Sequence, residues 1–315
     1  MKDNPFIYSL DNKRYHTFNY YLKNKYKSKV AKIPLDAKFT CPNRDGKLST
    51  KGCIFCSDGG SGDFTDQENI DLESQYQTLL KVMRNKWPNC NTIPYFQAFT
   101  NTYGPLSKIK SMCEPFLLKD EVKAISIATR ADCLEDDKIE YLNSLTDKKD
   151  IWIELGLQSS NDHTSNLINR GHDFNCFIEC LEKLKDTNLK VCIHIINSLP
   201  YESMEDMINT VKDISKYEFN AIKIHMLYII KNTLIEYMYN TNKFHVLTKD
   251  EYIDVVIKQL ELLNPKVIIQ RITGDPVKED LLEPTWLLNK TTLINDIDKE
   301  MKRRNTYQGI YYQEI

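Results

Sequence analysis

The feature that most constrains the fold is a regular alternation of short apolar segments with amphipathic, charge-rich segments of helical length. Strands are predicted at about 29–38, 93–100, 122–129, 150–156, 190–197 and 221–228, with a further one at 266–271. Helices are predicted between them, for example over 72–86, 136–144, 174–185 and 204–216. Alternating strands and helices build βαβ units and a mainly parallel sheet. Right-handed crossovers then leave an open doubly wound sheet or a barrel.

Polar side chains at every second strand position favour the barrel, because the central strands of a doubly wound sheet are apolar on both faces. Alternation gives these side chains a common face in five strands: Lys223 with His225, Glu154 with Gln158, Ser126 with Arg130, His194 with Ser198, and Gln97 with Asn101. Any one of them could instead face solvent at a strand end. The repetition indicates a complete or partial barrel whose lumen holds something polar, since unpaired buried charge is costly.

The composition is that of an ordinary globular protein, with 41% hydrophobic and 27% charged residues. A formal net charge of −2 excludes the strong basic field of a dedicated nucleic-acid binder, although a local basic patch stays open. The longest apolar stretch, 221–230, is too short for a membrane span and contains Lys223 and His225. The polar N-terminus has no signal-peptide core, so a cytoplasmic location and no membrane partner are predicted.

The nine cysteines point to a metal or redox site, because an odd count without a secretion signal argues against a disulfide framework. Cys53 and Cys56 form a C-x2-C pair, and a hydrophilic stretch of eleven residues separates them from Cys41. A C-x2-C pair brings two thiolates to one metal centre, and the intervening loop can deliver the third.

Zinc is the alternative occupant of such a site, and it requires four closed ligands. The next cysteine, Cys90, lies 34 residues beyond Cys56, and His16 lies 25 residues before Cys41. A local fourth ligand is therefore missing. Three thiolates suit a [4Fe–4S] cluster with one iron open to a small molecule.

The motif Cys41, Cys53, Phe55, Cys56 resembles the radical S-adenosylmethionine (SAM) signature, in which an aromatic residue precedes the last cysteine. The long gap after Cys41 departs from the commonest spacing and resembles the Elp3-like branch. Further stretches are similar to the YtqA/YhcC family of radical SAM proteins, among them RYHTFNYYLK (14–23), YFQAFTNTY (95–103), SIATRADCL (126–134), IELGLQS (153–159), NRGHD (169–173) and RITGDP (271–276).

This resemblance implies a partial (β/α)6 TIM-like barrel with N- and C-terminal extensions. We expect a single domain over 1–315, with a core at about 29–230 and a C-terminal extension at about 231–315. The implied cofactors are a [4Fe–4S] cluster on Cys41, Cys53 and Cys56, and SAM at its open iron. An external one-electron reductant of the flavodoxin or ferredoxin type would drive reductive cleavage of SAM, and the resulting 5′-deoxyadenosyl radical would abstract hydrogen from substrate.

Candidate site residues follow from the rule that active sites of β/α barrels lie at the carboxyl ends of the strands. The predicted cofactor-binding residues are Phe55, Gln97, Asn101, Thr102, Arg130, Glu154, Gln158, Ser159 and Ser198. Glu154 and Arg130 are expected to be neighbours, either binding SAM or forming a lumen salt bridge without a ligand. The predicted catalytic residues are Lys223, His225, His194, Arg170 and His172, with a structural role as the alternative for each histidine.

Two local features complete the prediction. The family pattern has a Gly-Leu-Pro-Gly-Glu turn after the fifth strand, whereas this chain has Ser198 and Tyr201 at the two glycine positions, so a less close backbone approach to SAM is expected. Cys176 and Cys180 share a helix face and could join Cys133 or Cys192 in a second cluster, but small buried core residues are the favoured interpretation.

The substrate stays open at this point, as either a tRNA or other RNA base or a small metabolite. Lysine and arginine gathered on the barrel mouth would favour RNA, and a small enclosed pocket would favour a metabolite. The alternative from another functional class is a non-catalytic iron–sulfur or zinc module for sensing or assembly. The polar lumen argues against that module, because such a protein needs no pocket for SAM.

Overall fold

The structure is a computed structural model that describes residues 4–60, 65 and 71–313. Its strands are β1 (Val30–Leu35), β2 (Asn91–Phe96), β3 (Ala124–Arg130), β4 (Asp150–Gln158), β5 (Lys190–Asn197), β6 (Ala221–Met226), β7 (Ile229–Ile230), β8 (Ile268–Arg271) and β9 (Leu281–Glu283). Its helices are α1 (Phe18–Tyr26), α2 (Leu72–Lys86), α3 (Leu106–Leu117), α4 (Asp136–Ser144), α5 (Asp162–Leu167), α6 (Phe174–Lys185), α7 (Met204–Ile214), α8 (Leu234–Asn242), α9 (Lys249–Leu262) and α10 (Lys290–Arg303).

Seven of these strands form one parallel sheet in the order β1-β2-β3-β4-β5-β6-β8. The sheet curls until its two edges approach, since the Lys32 ammonium of β1 donates to Gln270 Oε1 of β8 at 2.8 Å. This curled sheet confirms the predicted partial barrel, and each predicted strand overlaps an observed one. The segment predicted as a C-terminal extension supplies the seventh strand, β8.

The outer face of the sheet is apolar and carries the helices. The alternate strand residues Ile33, Ile127, Ile153, Ile193 and Ile222 are fully buried there. Helix starts are fixed by side-chain caps. In α7, for example, the Ser203 hydroxyl accepts the N–H of Asp206, and the Asp206 carboxylate accepts the N–H of Ser203. The alternate strand residues on the outer face are therefore buried because the apolar faces of the helices cover them.

The bottom of the lumen is closed by an apolar plug. Inward-facing residues of all seven strands of the sheet pack there with Leu22 of α1, and Trp152 is the largest of them. The rings of Phe18 and Tyr21 in α1 meet the Trp152 indole edge-to-face at 5.9 Å. The N–H of Ile269 in β8 donates to the carbonyl of His16 at 2.7 Å, which ties the plug to the last strand. The lumen therefore opens only toward the carboxyl ends of the strands.

At the mouth of the barrel, a second apolar cluster joins the cysteine-bearing loop to the C-terminal part of the chain. It contains Ile54, Ile168, Leu199, Ile235 and Phe244, with the partly buried Phe55 against it. The backbone of Ile54 makes two further connections. Its N–H donates to the carbonyl of Ile168, and its carbonyl accepts the N–H of Ile235 at 3.0 Å. The loop that carries the cysteines is therefore held from both sides.

No helix in the described ranges combines the length and the apolar character that crossing a bilayer requires.

Replacing Trp152 by alanine should lower the free energy of unfolding by about 3–5 kcal/mol, because it removes the centre of the plug and leaves a cavity. Urea denaturation of the two proteins measures this difference. Leu118→Ala is the control, since that side chain is 86% exposed and its loss should change stability by less than about 0.5 kcal/mol. A Trp152→Ala loss no larger than that of the control would contradict the assignment of the plug.

Candidate active site

The centre of the lumen is a carboxylate held by three partners from three different strands. Glu154 on β4 has no exposed side-chain surface. Its Oε2 accepts from Lys223 of β6 at 2.5 Å and from His194 of β5 at 2.7 Å. Its Oε1 accepts from Lys32 of β1. One side chain thus connects β1, β4, β5 and β6 across the inside of the barrel.

The electrostatics of this network follow from its burial. Burial alone would raise the pKa of Glu154, but Lys223 and Lys32, with His194, hold that pKa well below the ordinary range. Burial and the nearby Lys223 ammonium lower the pKa of His194 to about 4, so its imidazole is neutral at pH 7 and donates its Nε2–H. Burial, together with His194 and Arg271, likewise lowers the pKa of His225. The two rings lie 5.4 Å apart between centroids.

The ligand atoms of Glu154, Cys192 and His194 lie within 4.8 Å of one another, a spacing compatible with a metal ion. A cation at this point would have to displace Lys32 and Lys223 from the only carboxylate of the group. Burial and the Glu154 charge also raise the pKa of Cys192, which keeps its thiol protonated. These features do not favour a metal there.

A layer of guanidinium groups lies above this network. Arg130, at the end of β3, makes a two-point ion pair with Asp132, with both contacts at 2.8 Å, and donates to the carbonyl of Arg170 at 2.8 Å. Arg170 donates to the carbonyl of Gly156 on β4. A side chain at Gly156 would meet the Arg170 guanidinium at 3.0 Å, so glycine is needed for this close approach. Gly156 lies two residues beyond Glu154, or roughly 6–7 Å along the strand.

The three predicted cluster cysteines lie next to these arginines. Hydrogen bonding from Cys56, against the effect of burial, lowers the pKa of Cys53 to about 5, with Arg170, Arg130 and Asn43 acting in the same direction. Asn43 donates to Cys53 Sγ at 3.6 Å. Cys41 shares this electrostatic environment, since it interacts with Cys56 and with both arginines. The same hydrogen bond and burial raise the pKa of Cys56, so the pair favours a thiolate at Cys53 and a thiol at Cys56. The thiolate is the form that binds metal.

The donor set fits an iron–sulfur cluster with an open iron. Three thiols converge from one loop, since Cys53 and Cys56 are hydrogen-bonded to each other and Cys41 interacts with Cys56. Among the described residues, four buried polar atoms of the arginine layer, the cysteine loop and the end of β2 lack a hydrogen-bond partner: Arg170 Nε, Asn101 Oδ1, Asn43 Oδ1 and His172 Nε2. Buried polar atoms are normally satisfied. Unsatisfied donors and acceptors gathered at one strand-end layer are what a site for a polar ligand requires.

Arg130 and Glu154 do not pair, contrary to the expectation from the sequence. Strand register aligns Glu154 with Ala128, so that Arg130 is aligned with Gly156 one step higher in the barrel. Arg130 instead forms an ion pair with its neighbour Asp132, while lysines neutralise the charge of Glu154. The lumen salt bridge exists, but with Lys32 and Lys223 as its cations.

Several predicted cofactor residues are committed to contacts within the protein. The Thr102 hydroxyl bonds to Thr129 and to the carbonyl of Cys133. The Ser159 hydroxyl donates to Glu202, and the Ser198 hydroxyl accepts the N–H of Leu247 at 3.1 Å. The side-chain amide of Asn101 donates to the carbonyls of Phe96, Ala98 and Ala128, which leaves only its Oδ1 for a ligand.

The remaining predicted residues differ in their surroundings. Phe55 is half-buried in the mouth cluster, and Gln97 is half-buried just past β2. Gln158 ends β4 at a register shift with φ +81°. His172 lies near Arg170 and Asp132 rather than in the lumen, and burial, with Arg170, lowers its pKa to about 4. Arg170 and His172 therefore belong to the cysteine layer, while Lys223, His194 and His225 belong to the lumen.

The turn after β5 keeps a glycine-like backbone although both glycines are replaced. Ser198 has φ +71° and Tyr201 has φ +65°, in the left-handed region that non-glycine residues enter at a cost. The backbone conformation is thus retained, and the replacements add side chains to it. Ser198 is buried, whereas Tyr201 is 60% exposed and contacts Phe244 edge-to-face.

Cys133, Cys176 and Cys180 do not come within common ligand distance of one another in the described part of the chain. Burial raises the pKa of each of these thiols. Cys192 lies in the lumen beside Glu154. Cys133 and Cys180 are buried and Cys176 is half-buried, so packing in the core stays the favoured prediction for these cysteines.

Sequence reasoning missed Lys32, Tyr95, Asp132 and Asn43. Tyr95 lies under both lumen lysines, with Lys223 Nζ at 4.4 Å and Lys32 Nζ at 4.6 Å from its ring centroid. Lys32 and Tyr95 each alternate with apolar neighbours on their own strands, the same signal that identified Lys223. Asp132 follows Arg130 by two residues and gave no periodic signal because β3 has ended there.

Comparison with known proteins agrees with this arrangement. Residues 46–214 match the model of the radical SAM superfamily, and residues 219–303 match that of the radical SAM C-terminal domain. The uncharacterized protein YtqA of Bacillus subtilis is 44% identical over 315 residues, which is all of this chain and 98% of YtqA. The chain belongs to the radical SAM superfamily. Protein YhcC of Escherichia coli K12 is 30% identical over 88% of this chain and 89% of its own length, and the chain is a member of this YtqA/YhcC family.

More distant similarities cover only part of the other protein. A tRNA uridine(34) acetyltransferase of Methanocaldococcus infernus is 28% identical over 50% of this chain and 29% of its own length. The structure of archaeal M. infernus Elp3 with an N-terminal deletion superposes with a TM-score of 0.66 at 18% identity, over 89% of this chain and 64% of that one. At this identity the likeness concerns the fold. Membership of the superfamily makes the protein a radical SAM enzyme, not a non-catalytic module.

Glu154→Gln should lower the free energy of unfolding by about 3–5 kcal/mol, because it leaves two buried ammonium groups without their carboxylate. Lys223→Met should lower the free energy of unfolding much less, since Lys32 still neutralises the charge of Glu154. The double variant should lose less stability than the sum of the two single losses, by about 0.5–3 kcal/mol in the free energy of unfolding. Urea denaturation of the four proteins completes the cycle, and additive losses would show that the two side chains do not interact.

Glu202→Gln should stabilise the protein at pH 8 by about 1–3 kcal/mol and change little at pH 5. Burial raises the pKa of Glu202 from 4.5 to about 7, so the folded state binds a proton that the unfolded state releases, and stability falls as the pH rises through this interval. Denaturation at both pH values measures the difference. An equal effect of the substitution at pH 5 and pH 8 would contradict the raised pKa.

Proposed function

We propose that this enzyme holds a [4Fe–4S] cluster on Cys41, Cys53 and Cys56 and uses it to cleave SAM reductively. When bound, the cluster supplies the electron for this cleavage, and the 5′-deoxyadenosyl radical released abstracts a hydrogen atom from the substrate. The electron comes from an external reductant of the flavodoxin or ferredoxin type. The observation that carries the proposal is the convergence of three thiols, one of them a thiolate, with buried and unsatisfied polar atoms beside them.

The two arginines stabilise the anionic cluster loop. Arg130 and Arg170 bring positive charge next to Cys41 and Cys53, which offsets the negative charge of thiolate ligands. Arg130 is fixed by Asp132 and Arg170 by Gly156, so neither guanidinium must reorganise when the site fills. Asn43 adds a hydrogen bond to Cys53 Sγ, a kind of contact that tunes the potential of an iron–sulfur centre.

SAM carries an amino group, a carboxylate and a nucleoside, and unsatisfied atoms of the right type lie at the strand ends. Asn101 Oδ1 is a buried acceptor suited to the SAM amino group, and Arg170 Nε is a buried donor suited to its carboxylate. Thr102 and Ser159 support this layer through contacts within the protein. Among the predicted cofactor residues, Asn101 is therefore the one we expect to touch SAM most directly.

The lumen network would contact the substrate below SAM. Lys223, His194 and His225 project from neighbouring strands, and Glu154 holds the first two at defined positions. Because the imidazoles are neutral at pH 7, they can accept or donate a proton without carrying charge of their own. The apolar plug beneath them excludes water from the closed end of the barrel.

An RNA base is the substrate class that the observations favour. The tRNA uridine(34) acetyltransferase of M. infernus shares similarity with half of this chain. The cysteine loop carries three basic side chains, Arg44, Lys47 and Lys51. Arg44 donates to the carbonyls of Cys56 and Ser57, whereas Lys47 Nζ lies 5.2 Å from the centroid of the Tyr103 ring. Basic groups with an interleaved aromatic ring suit binding of a nucleic-acid strand. A small metabolite is the second candidate, since the lumen is lined by polar side chains.

The first test is anaerobic reconstitution with iron and sulfide, followed by addition of dithionite and SAM and measurement of 5′-deoxyadenosine. The loaded protein should form 5′-deoxyadenosine, and alanine at Cys41, Cys53 or Cys56 should abolish it because each removes a thiolate ligand. Cys113→Ala is the matched control, as this buried cysteine lies in α3 on the outer side of the sheet. Equal product from the control and the three variants, or binding of one zinc and no iron, would contradict the proposal.

The RNA assignment is tested by filter binding of bulk tRNA over a range of salt concentrations. Replacing both Lys47 and Lys51 by glutamine should weaken binding and reduce the salt slope by about 2, because two phosphate contacts are lost. Lys185→Gln combined with Lys212→Gln, on the outer helices α6 and α7, is the control of equal charge and should leave the slope unchanged. Absence of tRNA binding by the wild type would favour the metabolite.

A further inference from the structure

The lumen contains more positive than negative charge. We call its inward-facing polar groups at the depth of Glu154 the lumen layer; they are Lys32, Tyr95, Glu154, His194, Lys223, His225 and Gln270. Its only carboxylate is Glu154, and both Lys32 and Lys223 bind that carboxylate. Arg271 adjoins the layer, but Asp275 lies 3.7 Å from it. Among the described residues, the lumen layer therefore holds two ammonium groups against one carboxylate, an excess of one positive charge.

The other members of the lumen layer cannot supply the missing negative charge. Both histidines are neutral, since burial and the surrounding cations lower their pKa values. Burial and the Glu154 charge raise the pKa of Tyr95, so its hydroxyl stays protonated and only accepts from Lys223 at 3.2 Å. Gln270 offers Lys32 a neutral oxygen. Every nearby acceptor beyond Glu154 is thus uncharged.

The excess positive charge of the lumen layer affects Lys32 in particular. Burial lowers its pKa, and Glu154 opposes that effect while Lys223 reinforces it. Its side chain is nevertheless 20% exposed, whereas that of Lys223 is 7% exposed. A second ammonium group against one carboxylate costs free energy unless another anion arrives. The exposed part of Lys32 gives such an anion access to the lumen layer.

We propose that the lumen layer binds an oxyanion, a carboxylate or a phosphate, carried by the substrate, with Lys32 and Lys223 as the cations that recognise it. This assignment rests on the proposed function and specifies its substrate. An RNA substrate would present a base bearing an acidic substituent, or a backbone phosphate next to it. A metabolite would be an organic acid or a phosphate ester. An uncharged base or sugar would leave the excess ammonium group unpaired.

SAM also has a carboxylate, but the lumen layer lies below the layer assigned to SAM. Arg170 contacts the carbonyl of Gly156, two residues beyond Glu154 on β4. This corresponds to roughly 6–7 Å of strand rise. Arg170 already offers a buried, unsatisfied Nε to the SAM carboxylate. The two layers therefore provide separate positions for two anionic groups.

The test measures binding without turnover. Cluster-loaded protein is heated anaerobically, without reductant, in sodium acetate, sodium phosphate or sodium chloride at equal ionic strength. Acetate or phosphate should raise Tm over chloride by about 2–4 °C when present at about ten times its Kd. A rise with acetate alone identifies a carboxylate, and a rise with phosphate alone identifies a phosphate. Saturating SAM should leave this rise in place.

Variants identify the site that produces the rise. Lys32→Met and Lys223→Met should each abolish it, because either change balances the charge of the lumen layer. Lys223→Arg keeps the positive charge, so this variant should retain at least half of the rise in Tm. The control is Lys231→Met, since that exposed side chain contacts only the carbonyl of Glu279 among the contacts described for it. Circular dichroism checks that each variant is folded.

Three results would overturn the proposal: the same Tm in acetate, phosphate and chloride, a rise that survives in both methionine variants, or a rise that SAM abolishes. Because no step of the experiment requires an electron or cleavage of SAM, these results are independent of 5′-deoxyadenosine formation. A protein that forms 5′-deoxyadenosine but shows no oxyanion effect would keep its proposed function and lose only this substrate assignment.

Discussion

The buried carboxylate of Glu154 is the interaction on which the inside of this barrel depends. A seven-stranded sheet that curls without closing has no backbone pairing between its first and last strands, so side chains must hold its inner face together. Lys32 does this by reaching from β1 to Glu154 on β4 and to Gln270 on β8. Lys223 and His194 connect β6 and β5 to the other oxygen of the same carboxylate. The network thus fixes the relative positions of the strands that carry the site.

The site above depends on this frame through small backbone features. Gly156 lets Arg170 lie across β4, and Arg170 brings positive charge to Cys53. Gly171, with φ +81°, leaves room for Asn43 and Arg130, which a side chain there would meet at 3.0 and 3.2 Å. The turn at Ser198 and Tyr201 keeps a left-handed backbone in spite of its side chains. Charge is therefore positioned by backbone geometry before any cofactor binds.

Much of this architecture could be predicted from the sequence, because the physical signals were periodic. Alternation along strands identified the lumen face and its residues Glu154, His194 and Lys223. The separation of Arg130 from Glu154 could not be predicted, because the register between β3 and β4 decides which residues are aligned and a single sequence does not contain it. Lys32 alternates with apolar neighbours as Lys223 does, but it was missed because it is the only polar side chain on its face of β1. Thr102 and Ser198 were assigned by position alone, and their hydroxyl groups serve the protein's own backbone and side chains instead.

The most direct test of the central claim is electron paramagnetic resonance of the dithionite-reduced, reconstituted protein before and after addition of SAM. A [4Fe–4S] cluster with three protein thiolates and an open iron should give a reduced-cluster signal whose g-values shift when SAM binds. In the Cys41→Ser variant, this SAM-dependent shift should disappear. A reduced cluster whose spectrum is the same with and without SAM, in protein that is fully loaded with iron, would contradict the account.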